Sequence, residues 1–226
     1  MNMDKPHIAF TEEQLKEFHS RMRQLQQRKM LGVLCALLAP LSLLFGLIGA
    51  EGNYEHWYYS ISATFYANSN MFMIGLLFAT AVFFLSYKGY DLFDNIITDL
   101  SAIFALGVLA FPCRVPGGPA RAGIFYLPIE VSNVAHFVSA ACLFVSFSVM
   151  IFFQFTQGNS DTPKKRKRNR IYRICGAGIF AVLLWHVATL LLGLPGYFTM
   201  IDEFVMLMLF SFAWLTKGEA FKRLND

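Results

Sequence analysis

The chain has 226 residues, of which 56% are hydrophobic and only 15% charged, with a mean hydropathy of +0.47 and a net charge of +4. Soluble domains carry about a quarter charged residues, and 24 phenylalanines are more than a water-facing surface can hide, so an ordinary soluble domain is excluded. Four cysteines without C-x-x-C or zinc-type spacing exclude a disulfide framework and a structural zinc module.

Residues 1–29 are polar, so the first apolar run, near Met30, reads as an uncleaved signal-anchor and not as a cleavable signal peptide. Thr11 and Gln14 have capping-box spacing, with Phe10 and Leu15 at the flanking staple positions. Leu15, Phe18, Met22 and Leu25 then recur every three or four residues. The pattern predicts an amphipathic helix lying on the membrane interface, with a coiled-coil contact as the alternative.

Six apolar segments follow, at roughly Met30–Ala50, Asn70–Tyr87, Asn95–Phe111, Val131–Phe155, Ile171–Leu194 and Phe198–Thr216. Each approaches the ~20 residues that cross ~30 Å of hydrocarbon as a helix. Lipid offers no hydrogen-bond partners, so a spanning segment must satisfy its own backbone, and these runs are too long for barrel strands. The expected fold is all-α: an integral membrane bundle of six transmembrane helices. The expected divisions are an amphipathic helix at 1–29, a membrane domain at 30–216 with a basic loop at 156–170, and a tail at 217–226.

The connections set the expected orientation. With both termini in the cytoplasm, every Lys and Arg of the nineteen falls on the inner side except Arg114 and Arg121, as the positive-inside rule requires. Tyr54, Trp57, Tyr58, Tyr59, Tyr87, Tyr90, Tyr197 and Trp214 fall at the expected interfaces. Between spans two and three, Gly89 permits a turn and Asp94 is placed to cap the next helix. Asp99, one turn deeper, needs a partner or belongs to an ion path. The run Lys164, Lys165, Arg166, Lys167, Arg168 reads as a topology determinant or a contact for anionic inner-leaflet lipids, and nothing points to nucleic acid. Gly46-Leu47-Ile48-Gly49 and Gly176-Ala177-Gly178 offer close helix approach.

Ionisable residues inside spans usually have a task. Besides Asp99 they are His136, His186, Asp202 and Glu203. Counted along the helices, His136, His186 and Glu203 fall at similar depth in the outer third, so they can share an outward-facing polar pocket. Its rim would hold Glu51, Glu55, His56, Ser60, Ser62 and Thr64 from the first outer loop, and Arg114 and Arg121 from the second. The two arginines suit a phosphate or carboxylate, or else pair with Glu130. His56, His136, His186 and Glu203 form a weak metal-ligand alternative, without supporting spacing, and a His–Glu hydrogen bond between spans four and six is the stronger expectation. Nucleotide-binding and nucleophile-elbow motifs are absent, so no cofactor and no catalytic residue are assigned.

Three features together resemble the damage-regulated autophagy modulator, Frag and Sfk-like superfamily, which includes bacterial six-helix membrane proteins. They are Tyr59-Ser60-Ile61-Ser62-Ala63 before span two, His136 near the outer start of span four, and Glu203 near the outer start of span six. The last is followed by an aromatic-rich helix ending Leu215-Thr216-Lys217-Gly218-Glu219-Ala220-Phe221. The superfamily's proline before the Ile-Ser motif is replaced here by Tyr58 and Tyr59. The resemblance implies an outer-face constellation of Ser60, Ser62, His136 and Glu203, and a link to lipid remodelling, phosphoinositide regulation and autophagy in eukaryotic relatives.

The expected function is therefore a non-enzymatic, lipid-interacting protein of the bacterial inner membrane, with homo-oligomerisation left open. A membrane-embedded lipid hydrolase or remodelling enzyme, metal-dependent or not, is the alternative; a small transporter or channel is the second.

Overall fold

The computed structural model describes residues 11–48, 59–67, 70–89, 91–158, 160 and 162–225. Among these, six long helices dominate: α1 Glu12–Ile48, α2 Met71–Ser86, α3 Leu92–Ala110, α4 Ile129–Val149, α5 Pro163–Leu191 and α6 Tyr197–Lys217. Five of them are long and apolar enough to cross a membrane, and α2, with 16 residues, is a shorter apolar helix. Apolar side chains face outward as well as inward, among them Phe78, Ile103, Val134, Val138 and Leu184. A helix apolar all round belongs in a nonpolar solvent. The fold is an α-helical membrane bundle.

Each helix packs against its neighbours in the chain, and α6 returns to α1, closing a ring in sequence order. The connections alternate between two ends. Residues 59–67, 111–128 and 192–196 lie at one, here called the motif end. Residues 87–89, 91, 155–158, 160, 162 and 217–225 lie at the other, the basic end. At the motif end a two-residue antiparallel ladder, β1 Arg121–Ala122 with β2 Leu127–Pro128, pairs Arg121 with Pro128 and Ala122 with Leu127. The sequence predicts only a loop here.

Several local features differ from expectation. The amphipathic segment and the first span are one unbroken helix of 37 residues. Its capping box is formed: Thr11 N donates to Gln14 Oε1 at 2.9 Å and Gln14 N to Thr11 Oγ1 at 3.2 Å. The staple residue Phe10 lies outside the described residues. At ~1.5 Å per residue α1 is about 55 Å long, so its first turns extend beyond any ~30 Å hydrocarbon layer. The basic run is not a loop, because Thr162 caps α5 by accepting from Lys165 N at 3.1 Å and Pro163 starts the helix. Asp91, not Asp94, caps α3, accepting from Asp94 N at 2.7 Å. Gly89 is needed for space: a Cβ there would lie 2.3 Å from the Asp94 carboxylate. Asp99 is exposed on the outside of the ring, away from any interior path.

Inside the bundle several hydroxyl groups are satisfied within their own helix. Thr80, Ser101, Ser146 and Thr216 each donate to the carbonyl four residues earlier in their own helix. Two serines instead bind across helices, each to a glycine carbonyl: Ser148 to Gly176 and Ser211 to Gly32, both at 2.8 Å. The residue one turn after each serine covers the same glycine. A Cβ on Gly176 would meet Phe152 at 2.8 Å, and one on Gly32 would meet Leu215 at 2.7 Å. These two junctions tie α4 to α5 and α6 to α1. The first lies at a π-helical turn, Met150–Gln154, which continues α4.

Candidate functional site

The motif-end site is built on a single 3-10 turn. After Ser60 and Ile61 the chain enters the turn Ser62–Tyr66, whose opening N–H groups have no partners within the turn. Glu203, seven residues into α6, supplies them. Its carboxylate accepts from Ile61 N at 2.6 Å, from Ser62 N at 3.2 Å and from Ser62 Oγ at 2.9 Å. Ser60 Oγ accepts from Ala63 N at 2.8 Å, and Thr64 Oγ1 donates to the Ile61 carbonyl at 2.6 Å. Tyr66 extends the anchor by donating to the Cys113 carbonyl at 2.9 Å. The Ser-Ile-Ser stretch is thus a folded cap on α6, not a loose rim.

Beside it, His136 is 2% exposed and its Nδ1 lies 2.7 Å from the Phe111 carbonyl. A carbonyl only accepts, so the proton sits on Nδ1. One turn earlier Ser132 donates to the Pro112 carbonyl at 2.8 Å, and Asn133 Oδ1 accepts from Arg114 N at 2.7 Å. Three residues on one face of α4 therefore fix the segment that follows α3. His186 of α5 pairs with Asp202 of α6, Nδ1 to Oδ2, at 3.2 Å. The expected His–Glu bond between α4 and α6 is not formed. Glu203 is engaged by the turn, His136 by a backbone carbonyl, and His186 takes the neighbouring aspartate.

The expected convergence does occur around two adjoining cavities. The first, of about 380 Å³, is lined by Tyr59, Ser60, Ser62, Arg114, His136 and Glu203, with Cys113, Asn133 and Thr199 also in its wall. The second, of about 140 Å³, runs deeper between α4, α5 and α6. It is apolar except for His136, His186 and Glu203, and includes Ala140, Phe144, Leu183 and Met206. The two share His136, Phe137, Leu190 and Glu203.

Arg121 stands apart. Its guanidinium donates to the Tyr126 carbonyl at 3.1 Å and lies 5.7 Å from that ring, because the small hairpin folds it onto its own turn. Glu51, Glu55 and His56 lie outside the described residues, as does the aromatic group Tyr54, Trp57 and Tyr58. Among the described residues no three His, Cys, Asp or Glu side chains are grouped to hold a metal, so the weak ligand set loses its geometric basis there. Cys113 and Thr199 belong to no sequence motif, and the sequence pattern gives Asp202 no partner. Burial pushes the Cys113 thiol up to about 12, with the charge of Glu203 adding to it, so it is not a thiolate nucleophile. Among the described residues neither Ser60 nor Ser62 hydrogen-bonds a histidine.

No protein-family model, no curated protein and no solved structure matches the chain.

Proposed function

We propose that the protein binds a membrane amphiphile in this two-part cavity. One observation carries the reading: a polar mouth with an arginine opens directly into an apolar chamber, and four residues belong to both. The arrangement suits a polar, anionic group at Arg114, Tyr59 and Asn133, with an apolar chain running between α4 and α5. The positive-inside distribution supports placing the motif end on the outer face, so the amphiphile would come from the outer leaflet. The residues that the resemblance to the autophagy-modulator, Frag and Sfk-like superfamily singles out are Ser60, Ser62, His136 and Glu203, and all four line the mouth. Their gathering supports that kinship and its lipid connection. A binding role, not hydrolysis, follows from the commitments of the candidate groups, since the carboxylate and both serines hold the 3-10 turn.

Arg114 gives the cleanest test, because its side chain is exposed and only its backbone N–H anchors the loop. Full-length protein in a gentle detergent, read by native mass spectrometry, should retain a lipid. Arg114→Ala should lower its retention about tenfold, as expected for losing one charge-assisted contact of about 1.5–3 kcal/mol. Ala140→Phe should fill the chamber and expel the lipid. Equal retention in both variants would overturn the proposal.

A further inference from the structure

Two hollows mark the basic end, and their cations differ in how they are engaged. The first, the basic cavity, holds about 180 Å³ and gathers Arg28 from α1, Lys165 and Arg168 from α5, and Lys217 from the end of α6, with Phe155 in its wall. Three of these cations are committed to the protein. Arg28 Nε donates to the Tyr87 hydroxyl at 3.2 Å, Lys217 Nζ to the Phe155 carbonyl at 3.2 Å and Arg168 to the Leu224 carbonyl at 2.6 Å, and each has further contacts.

The second hollow is an open groove of about 550 Å³ along the seam of α4 and α5. Arg166, Arg170 and Arg173 line it at positions i, i+4 and i+7, which sets them on one face of α5 over about 10 Å. Arg166 is held by the protein, donating to the Ser160 carbonyl at 3.4 Å among its contacts. Arg170 and Arg173 are exposed and form no hydrogen bond or ion pair among the described residues. No acid among the described residues lines the groove.

The surroundings of these two arginines turn apolar within one turn. Ile174 and Ala177 continue the same face into the groove, and Phe152 closes it from α4. Ile174 is 60% exposed, and Phe180 and Leu184 carry the exposed apolar surface of α5 further into the span. Arg173 therefore sits where the polar end of α5 meets its lipid-facing surface, the level of lipid headgroups. The groove is also a built feature. Asn169 Nδ2 donates to Ser160 Oγ at 2.8 Å and to the Thr156 carbonyl at 3.4 Å, pinning the connection after α4 against α5 as a rim. At the floor Gly176 lets the helices meet, since a Cβ there would lie 2.8 Å from Phe152, and Ala177 beside it is too small to fill the space. Phe152 is the middle residue of the π-helical turn Met150–Gln154, and such turns are frequent at functional sites.

We propose that this groove binds an anionic phospholipid from the leaflet at the basic end, its phosphate between Arg170 and Arg173 and an acyl chain running along Ile174, Ala177 and Phe152. The two guanidinium groups, one helical turn apart, present planar forks that phosphate oxygens accept bidentately. The volume equals about eighteen waters at ~30 Å³ each, room for a phosphoglycerol headgroup and the first carbons of its chains. Such a site differs from diffuse attraction of a basic helix start to an anionic surface. Lys164 and Lys167 carry equal charge on the same helix, yet neither lines the groove. The groove shares no lining residue with the motif-end cavities.

The test uses full-length protein carrying Ala140→Phe, which closes the motif-end chamber, so that bound lipid reports the groove. Protein in detergent is titrated with dioleoyl phosphatidylglycerol and with dioleoyl phosphatidylcholine, and bound lipid is counted by native mass spectrometry. Phosphatidylglycerol should bind saturably and more tightly than phosphatidylcholine. Arg170→Gln with Arg173→Gln should weaken it about tenfold or more, as expected for losing charge-assisted contacts. The charge-matched pair Lys164→Gln with Lys167→Gln should change it by about twofold or less, as for exposed charges outside a site. Ala177→Phe, which keeps every charge and fills the groove, should weaken it as well. Phosphatidylcholine binding as tightly as phosphatidylglycerol, equal losses in the two double variants, or full binding in Ala177→Phe would overturn the proposal.

Discussion

Replacing Glu203 by alanine tests the central structural claim about the motif end. The carboxylate accepts three hydrogen bonds, two of them from the backbone N–H groups of Ile61 and Ser62. Hydrogen bonds to a charged group contribute about 1.5–3 kcal/mol each, and they are not additive. Glu203→Ala should therefore destabilise the turn by about 3–5 kcal/mol, since it also strands buried donors. Glu203→Gln keeps the volume and one acceptor oxygen, and should cost about 1–2 kcal/mol by the same reasoning. Ser62→Ala removes the hydroxyl contact alone and should cost about 1 kcal/mol. Hydrogen exchange in detergent reads this directly, on a peptide covering residues 59–67. A local loss of about 3 kcal/mol speeds exchange at Ile61 and Ser62 roughly 100-fold, with the helical core exchanging as in the parent. If Glu203→Ala left those amides as protected as before, the carboxylate would not be holding the turn.

Two further outcomes follow from the same structure. Burial pushes the Cys113 thiol up to about 12, which keeps it protonated near neutral pH, so maleimide should label it very slowly in the folded protein and readily after denaturation. Gly176→Ala should lower the thermal midpoint at a cost of about 1–3 kcal/mol, because the new methyl meets the Phe152 backbone N at 2.9 Å, whereas Gly75→Ala, with nothing within 4 Å, should be neutral or stabilising by up to about 1 kcal/mol.

The bundle itself was legible because solvent decides it: runs of apolar residues near the length of a bilayer can only be helices. Helix depth is legible too, since residue counting along the spans sets His136, His186 and Glu203 at similar height. Hydrogen-bond partners were not. Counting residues along a helix gives height but not azimuth, and azimuth decided that His186 meets Asp202 and that Glu203 reaches back to Ser62. The serine–glycine junctions escaped for a similar reason. Ser148 and Ser211 look like ordinary span residues until a glycine 28 or 179 positions away is known to face them. The basic end was misread in kind, as a charged loop, because a run of Lys and Arg reports topology more loudly than helicity. Arg28, hidden at the foot of an amphipathic stripe, gave no signal at all.

The two cavities share no lining residue, and what lies between them bears on the transport reading. A chain of rings spans the interval. Phe144, in the wall of the apolar chamber, lies 6.0 Å from Phe147, which stacks on Phe210 at 3.8 Å. Phe210 is 6.0 Å from Trp214, Trp214 is 4.9 Å from Phe155, and Phe155 lines the basic cavity. Phe147, Phe210 and Trp214 are all essentially without solvent exposure. Close-packed aromatic groups of this kind bury large areas and resist displacement. A solute passing from the motif end to the basic end along this line would have to part several such contacts at once. Asp99, the acid that first suggested an ion path, faces outward from the ring and contributes nothing to this interval. Packed rings, not an open passage, therefore fill this line between the two cavities. Both α5 and α6 reach the two cavities, with His186 and Glu203 at one and Arg168 and Lys217 at the other.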